Sequence, residues 1–277
     1  MMRPGGRRWA LAIGGICIFL AILAVASAWQ MSNGEDAGPK PALGITTSLP
    51  LQWSEGGIEA DLAEEAKPHP VFVRLSSAYK VEPIDDLQNL KADRVQILLL
   101  AQPRSFRPAE LAALDSWIRD GGRALVLADP ALQWGSLYPL GDKRRPLFTS
   151  MLSPLFTHWG LELVLPMHAE SALVIRKLGS ANIRTKTPGE WLPRENAKDP
   201  AAAPCRILAQ GLLADCRIGK GRAVLLADAD FLDTPYWEGR GVRVLSGTDE
   251  FDNINWLEAV LAALRDGRAT SGDFMER

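Results

Sequence analysis

Hydrophobic and polar positions along the chain fall into blocks of two periods. Residues 95–101 (VQILLLA) run almost unbroken apolar, which suits a strand covered on both faces. Residues 108–120 follow as an amphipathic helix with Leu111, Leu114 and Ile118 on one stripe. Pro108 suits its first turn, Glu110 favours the positive end of the helix dipole, and Gly121 supplies a stop. Residues 123–128 (RALVLA) then read as a second buried strand. Strand, helix and strand within this span predict a right-handed crossover unit. Further strands are expected at 44–48, 71–75, 161–165, 206–213 and 222–227, with helices at 58–67, 149–159 and 253–265. In the last helix Ile254, Leu257, Leu261 and Leu264 share a face. Residues 131–145 read as an irregular loop at the carboxyl edge of the sheet, and 179–204 as a long, mobile polar excursion.

The N-terminus has a different pattern. Residues 10–28 carry no charge and would rise about 28 Å as a helix, close to the thickness of a hydrocarbon core. Trp9 and Trp29 stand at its two ends, Arg3, Arg7 and Arg8 precede it, and Glu35 and Asp36 follow. The positive-inside rule then predicts a single-pass anchor with the chain beyond residue 30 exported. The expected organisation is a cytoplasmic tail (1–8), a transmembrane helix (9–29), a Gly/Pro linker (30–42), an exported α/β domain (43–266) and a tail (267–277) in the inner membrane and periplasm. Small residues at 24–28 (AVASA) also fit a signal-peptidase site, but the apolar run exceeds the usual signal core, so a retained anchor is the preferred reading.

Composition narrows the function. The 277-residue chain has a formal net charge of -2; beyond residue 30 it carries 28 basic against 33 acidic residues. A mildly acidic domain without a basic stripe argues against nucleic acid. Cys205 and Cys216 lie in the exported part, where a disulfide forms if their Cβ atoms approach, while Cys17 sits in the membrane run. His69, His158 and His168 have no mutual spacing that suits zinc. No metal or cofactor is assigned.

The segments LLLAQP, PAELAALDSWIRDGG, RALVLADP, LFTHWGLEL and GKGRAVLLADADFLD before DNINWLEAVLAAL together resemble the exported domain of the gliding-motility auxiliary ABC-transporter family (GldG-like, an uncharacterised ABC-type transport system). The resemblance spans residues 43–266. It implies a flavodoxin-like, class I glutamine amidotransferase-like sheet without established catalysis, associated with ABC-transporter permeases and ATPases.

Catalysis lacks its first reagent in the sequence. A nucleophile in this layout sits on a Gly-flanked elbow directly after a core strand. Here the residues after 123–127 are Ala128, Asp129 and Pro130, and no G-x-C-x-G or G-x-S-x-G occurs. The best candidate ligand site is acidic: Asp129, Asp228 and Asp230 follow strands, with Asp233, Asp252, Asn253 and Asn255 nearby in sequence. Ligands of open α/β sheets gather at strand carboxyl ends, so Asp129, Asp228, Asp230 and Asn253 define a candidate crevice. Three readings stay open: helix and turn capping, which short Asp and Asn side chains commonly perform; a polar crevice for a solute or glycan; and a site for Ca²⁺ or Mg²⁺. Capping is the default. The GKGR run at 219–222 precedes a strand, which predicts a hairpin turn rather than a phosphate loop. Trp134, Trp191 and Trp237 fall in loop-like stretches, where packing over the core edge is preferred to service as interface anchors. The charged run 142–145 (DKRR) reads as a solvated loop. The expectation is a non-enzymatic interaction protein docking through loops 131–145 and 179–204; a ligand-binding module and a hydrolase of unrecognised mechanism are the alternatives.

Overall fold

A computed structural model describes residues 39–53, 55, 68–90, 94–167, 173–194, 204–247 and 249–268. The expected anchor (9–29) and the expected helix at 58–67 lie outside the described residues; no described helix is long and apolar enough to cross a membrane.

The chain enters a central sheet with β1 (Ala42–Thr47), passes through helix α1 (Pro70–Ala78), and returns as β2 (Lys80–Pro83) beside β1. β3 (Ile97–Ala101) lies on the other side of β1; helix α2 (Pro108–Arg119) leads to β4 (Arg123–Leu127) beside β3. A short helix α3 (Ser153–His158) and β5 (Leu161–Val164) follow, then the hairpin β6 (Leu173–Leu178) and β7 (Ala181–Lys186), and β8 (Glu190–Pro193), which pairs with β5. β9 (Cys205–Leu208), β10 (Leu213–Ile218) and β11 (Gly221–Leu226) return to the sheet before the short helix α4 (Val242–Ser246) and α5 (Asn253–Arg265). Among the described residues the main sheet has seven strands in the order β2-β1-β3-β4-β11-β10-β9; the first five and β9 run in one direction, and β10 runs against them.

All five residues of β3 and four of the five in β4 are buried, as strands sandwiched between helices require. β2 and β4 lie on opposite sides of the β1–β3 pair, so right-handed crossovers put α1 and α2 on opposite faces. Side-chain bonds agree. Arg74 on α1 pairs with Glu258 on α5 at 2.9 Å, whereas Asp115 on α2 accepts the Trp159 indole N–H at the end of α3 at 2.9 Å. The molecule is therefore a mixed α/β sandwich with its sheet between two helical layers.

Three expectations are corrected. Residues 71–75 form helix α1, not a strand. His69 caps it, Pro70 occupies its first turn, and Val71 and Leu75, one turn apart, are its buried residues. Residues 179–204 are not a loop throughout, since they hold β7 and β8 and the Gly179–Ser180 turn of a two-residue hairpin. The predicted strand 206–213 ends at Leu208, and a separate strand, β10, begins at Leu213.

The structure also settles features that the sequence left open. Cys205 and Cys216 face each other across β9 and β10 and are joined as a disulfide. Gly219 and Lys220 make the two-residue turn between β10 and β11. A Cβ on Gly221 would stand 2.0 Å from the Ile118 carbonyl oxygen, and Lys220 N–H donates to the Arg119 carbonyl at 2.8 Å. The GKGR run therefore seats a hairpin against the end of α2. Trp134, Trp191 and Trp237 are all buried.

Candidate functional site

β4 and β11 are neighbours and parallel, so their carboxyl ends share one edge. Asp129 stands two residues beyond β4 and Asp228 two beyond β11; Asp230 opens a short helical turn, Asp230–Leu232. One carboxylate oxygen from each of the three lies within 4.8 Å of the others, and all three residues have no exposed surface. Asp129 caps two chain turns by accepting from Ala131 N–H at 2.7 Å and Ala229 N–H at 3.2 Å. Asp228 Oδ1 accepts from Phe231 N–H at 2.8 Å, and Asp230 Oδ2 from Gln133 N–H at 2.6 Å. Asp228 Oδ2 and Asp230 Oδ1 are buried without a partner.

Burial penalises the charged forms, and neighbouring carboxylates add to the penalty. Asp129 is raised to about 6, chiefly by burial. Asp230 is pushed up to about 8 by burial and the charge of Asp129. Asp228 rises well above the ordinary carboxylate range for the same reasons. Asp233 is raised to about 6 by burial, and the Tyr236 phenol is raised by burial and by the charges of Asp230, Asp233, Asp228 and Asp129. Burial and mutual repulsion thus oppose three bare negative charges at this corner.

Asn253 braces the 230–232 turn from the side of α5. Its Nδ2 donates to the Arg184 and Phe231 carbonyls, each at 3.0 Å, and its Oδ1 accepts from Arg184 N–H at 2.9 Å. Asp252 accepts from Asn182 N–H, and Asn255 accepts from Arg74. These residues pin the β6–β7 hairpin to the start of α5 and stabilise α5 against α1.

The cluster is not an open crevice because the segment after β7 covers it. Gly189 N–H donates to the Ala227 carbonyl at 2.7 Å, and a Cβ on Gly189 would stand 2.8 Å from Pro130. Thr187 in this cover holds φ at 51°, a strained value for a β-branched residue. The sequence shows the aspartates; their cover, inside the stretch read as a mobile excursion, escaped it.

Open space lies further along the same edge. The sheet reverses direction between β1 and β3, the place where such sheets leave a crevice. A cavity of 540 Å³ opens there, lined among others by Thr47, Trp53, Asp85, Arg104, Tyr138 and Arg144. The Arg144 guanidinium stacks 4.0 Å from the Tyr138 ring centre, and the Tyr138 hydroxyl donates to the Glu55 carbonyl. Its rim is the irregular loop after β4, where Leu137 is 81% and Leu140 80% exposed. Sequence reasoning missed this cavity, since none of its residues forms a motif.

The strained corner of the sheet is Gln102, not Ala128 to Pro130. Gln102 directly follows β3 with φ at 42°, the backbone setting of an elbow residue. Its side chain is buried and fully committed. Oε1 accepts from Asp129 N–H at 2.9 Å, while Nε2 donates to the Leu147 carbonyl at 2.9 Å and the Asp129 carbonyl at 3.2 Å.

Of the histidines, His69 caps α1 and is lowered to about 4 by burial; His158 lies 3.6 Å from Asp115; His168 is outside the described residues. Ser136 Oγ accepts from Tyr138 N–H and sits in no elbow.

Residues 40–164 match the family described as "ABC-type uncharacterized transport system". That match supports the resemblance carried by the sequence segments. It covers β1 to β5, including Gln102, Asp129 and the cavity rim, and stops before Asp228 and Asp230. No curated protein matches the chain. Among solved structures, the N-terminal domain of mmIFT52 is 16% identical with a TM-score of 0.49, over 83% of this chain and 99% of that one. An exo-beta-1,4-mannosidase (Op5Man5) from Opitutaceae bacterium strain TAV5 is 14% identical with a TM-score of 0.46, over 87% of this chain and 39% of the enzyme. A beta-galactosidase from Bacillus circulans sp. alkalophilus is 12% identical with a TM-score of 0.38, over 70% of this chain and 29% of that one. At these values no activity passes to the present chain.

Proposed function

We propose that this chain is a non-catalytic accessory component of an ABC-type transport system, held at the inner membrane by residues 9–29 with its α/β domain exported. The match to an ABC-type transport family supports the system. The uncharged run between two tryptophans, with arginines on one side, supports the anchor and its orientation. The strand order, in which β1 to β4 and β11 run parallel with β2 outermost, supports a flavodoxin-like assignment of the sheet.

Gln102 is the observation that carries the non-catalytic reading. A nucleophile elbow needs a free reactive atom at the strained turn after a core strand. Here that turn holds an amide whose oxygen and nitrogen are both bonded to backbone.

Docking is the work that remains, and the loop after β4 is the surface for it. Residues 131–145 keep the role assigned from sequence, and within 179–204 the described residues 179–194 hold β7, β8 and the cover of the aspartates, which makes 131–145 the preferred surface. Leu137 and Leu140 stand almost fully exposed beside an open cavity, a poor arrangement for water and a good one for a partner. The partner is a transporter subunit, a multi-span permease in the first instance. A photo-crosslinking residue placed at Leu137 or Leu140 in the full-length chain in its own membranes should capture an integral membrane protein. The same residue at Lys220, in the exposed turn at the opposite edge of the sheet, should not. Equal capture at Lys220, or none at the loop, would sink the docking reading.

A solute- or glycan-binding role has one observation in its favour, the 540 Å³ cavity with Trp53 and Tyr138 on its walls. That reading moves the ligand away from the buried aspartates to the β1–β3 reversal. A sugar-dependent thermal shift abolished by Trp53→Ala would support it over docking.

A further inference from the structure

Capping explains only part of the aspartate cluster. One oxygen each of Asp228 and Asp230, and both of Asp129, receive backbone N–H groups. At 228 and 230 an asparagine would accept the same N–H groups without an ionisable group. The structure instead places three carboxyls together in a site with no exposed surface. Lys186 is the basic side chain whose charge reaches the cluster, where it acts against the upward push on Asp230. Two of their oxygens, Asp228 Oδ2 and Asp230 Oδ1, are buried and have no hydrogen-bond partner. A buried acceptor left unbonded is costly, and a buried carboxylate more so, unless a proton or a cation meets it.

We propose that Asp129, Asp228 and Asp230 form a buried divalent-cation site selective for Ca²⁺ over Mg²⁺. All donors are carboxylate oxygens, which hard cations prefer and which discourage softer metals that seek imidazole or thiolate. The choice of Ca²⁺ follows from enclosure. Mg²⁺ gives up its water reluctantly and favours sites that leave several waters in place, whereas Ca²⁺ accepts dense protein cages. The three ligands come from the ends of β4 and β11 and from the 230–232 turn, under a cover formed by residues 187–189. A bound ion would therefore tie two strands, one turn and the β6–β7 hairpin into one unit. This inference is independent of the docking reading.

The test uses the full-length chain in detergent, stripped with a chelator and dialysed at neutral pH against Ca²⁺, Mg²⁺ or neither. Elemental analysis should find a single Ca²⁺ retained per chain. Ca²⁺ at about a hundredfold above Kd should raise Tm by roughly 5 to 10 °C, with a smaller rise for Mg²⁺. Asp228→Asn and Asp230→Asn should each abolish both effects while raising Tm in chelator, since each removes a buried charge. The proposal is overturned if the wild-type chain retains no calcium and Ca²⁺ leaves its Tm unchanged; the cluster then shares protons only. It is equally overturned if both asparagine variants keep the wild-type shift, which would place the ion elsewhere. If a variant fails to fold, calcium retention by the wild-type chain decides alone.

Discussion

Replacing Gln102 tests whether the strained corner of the sheet is structural. Gln102→Ala removes the amide that bonds the loops after β3 and β4. Asp129 N–H then loses its acceptor in a buried setting, and the Leu147 carbonyl loses a donor. The Asp129 carbonyl still accepts from Ser150 N–H at 2.8 Å, so its loss is partial. An unsatisfied buried group costs about 1–3 kcal/mol. Two full losses and one partial one give a destabilisation of about 3 to 4 kcal/mol. Gln102→Gly loses the same bonds but relieves the left-handed backbone at φ 42°. It should be less damaging than the alanine variant by about 0.5 to 1 kcal/mol, after allowing for glycine's larger unfolded-state entropy. Urea unfolding followed by tryptophan fluorescence reads both through shifts in midpoint at constant slope. A loss below about 1 kcal/mol for Gln102→Ala would refute the reasoning, as would an alanine variant more stable than the glycine one. The first result would leave the residue free for another role.

Three further outcomes follow from local geometry. The Cys205–Cys216 disulfide closes a loop of sequence separation 11, so reducing it should cost about 3 kcal/mol by the chain-entropy relation, measured as the difference in urea midpoint with and without reductant. Gly221→Ala drives a Cβ into the Ile118 and Gly122 carbonyls and should cost more than about 3 kcal/mol. Lys220→Ala, at an exposed turn position one residue away, should change stability by less than about 0.5 kcal/mol, and both are read by thermal unfolding. Glu110 is buried at the start of α2, where the Arg107 N–H and the Arg107 and Arg104 guanidinium groups hold its carboxyl at about 2. Its folded value lies below its unfolded one, so its contribution is complete above the ordinary carboxylate value and is lost as pH falls through about 2. Glu110→Gln should cost about 1 to 2 kcal/mol at neutral pH and flatten the acid limb of a stability-against-pH curve; an unchanged limb would count against the assignment.

The core crossover was legible in the sequence because its elements state their period strongly. β3 is apolar at every position, and α2 repeats its buried residues at helical spacing between a proline start and a glycine stop. α5 was legible for the same reason. α1 was not. Its window of five residues holds two valines and a phenylalanine, which suit a strand, and its cap is His69 rather than the usual Ser, Thr, Asp or Asn. Pro70 opens this helix in its first turn, where a proline can equally end a preceding element. β10 escaped because a charged residue stands mid-strand. Asp215 is buried there only because Arg222 holds it at 2.6 and 2.7 Å with Arg206 at 3.3 Å, and these pairings belong to the folded sheet. The β6–β7 hairpin did carry a signal, two short alternating runs around Gly179–Ser180, but its charged residues masked it. At the site, the strand ends that carry Asp129 and Asp228 could be read from the sequence. What could not be read is which segment lies over them, because residues 187–189 reach Ala227 and Pro130 through backbone contacts that no side-chain pattern encodes.

Purification of the full-length chain from its own membranes in mild detergent, with quantitative mass spectrometry of what accompanies it, tests the central claim most directly. The account predicts that a multi-span permease and an ATPase subunit are enriched at a fixed ratio to the chain, and that charged substitutions at Leu137 and Leu140 reduce that enrichment. Recovery of the folded chain with transporter subunits no higher than in a mock purification would contradict it.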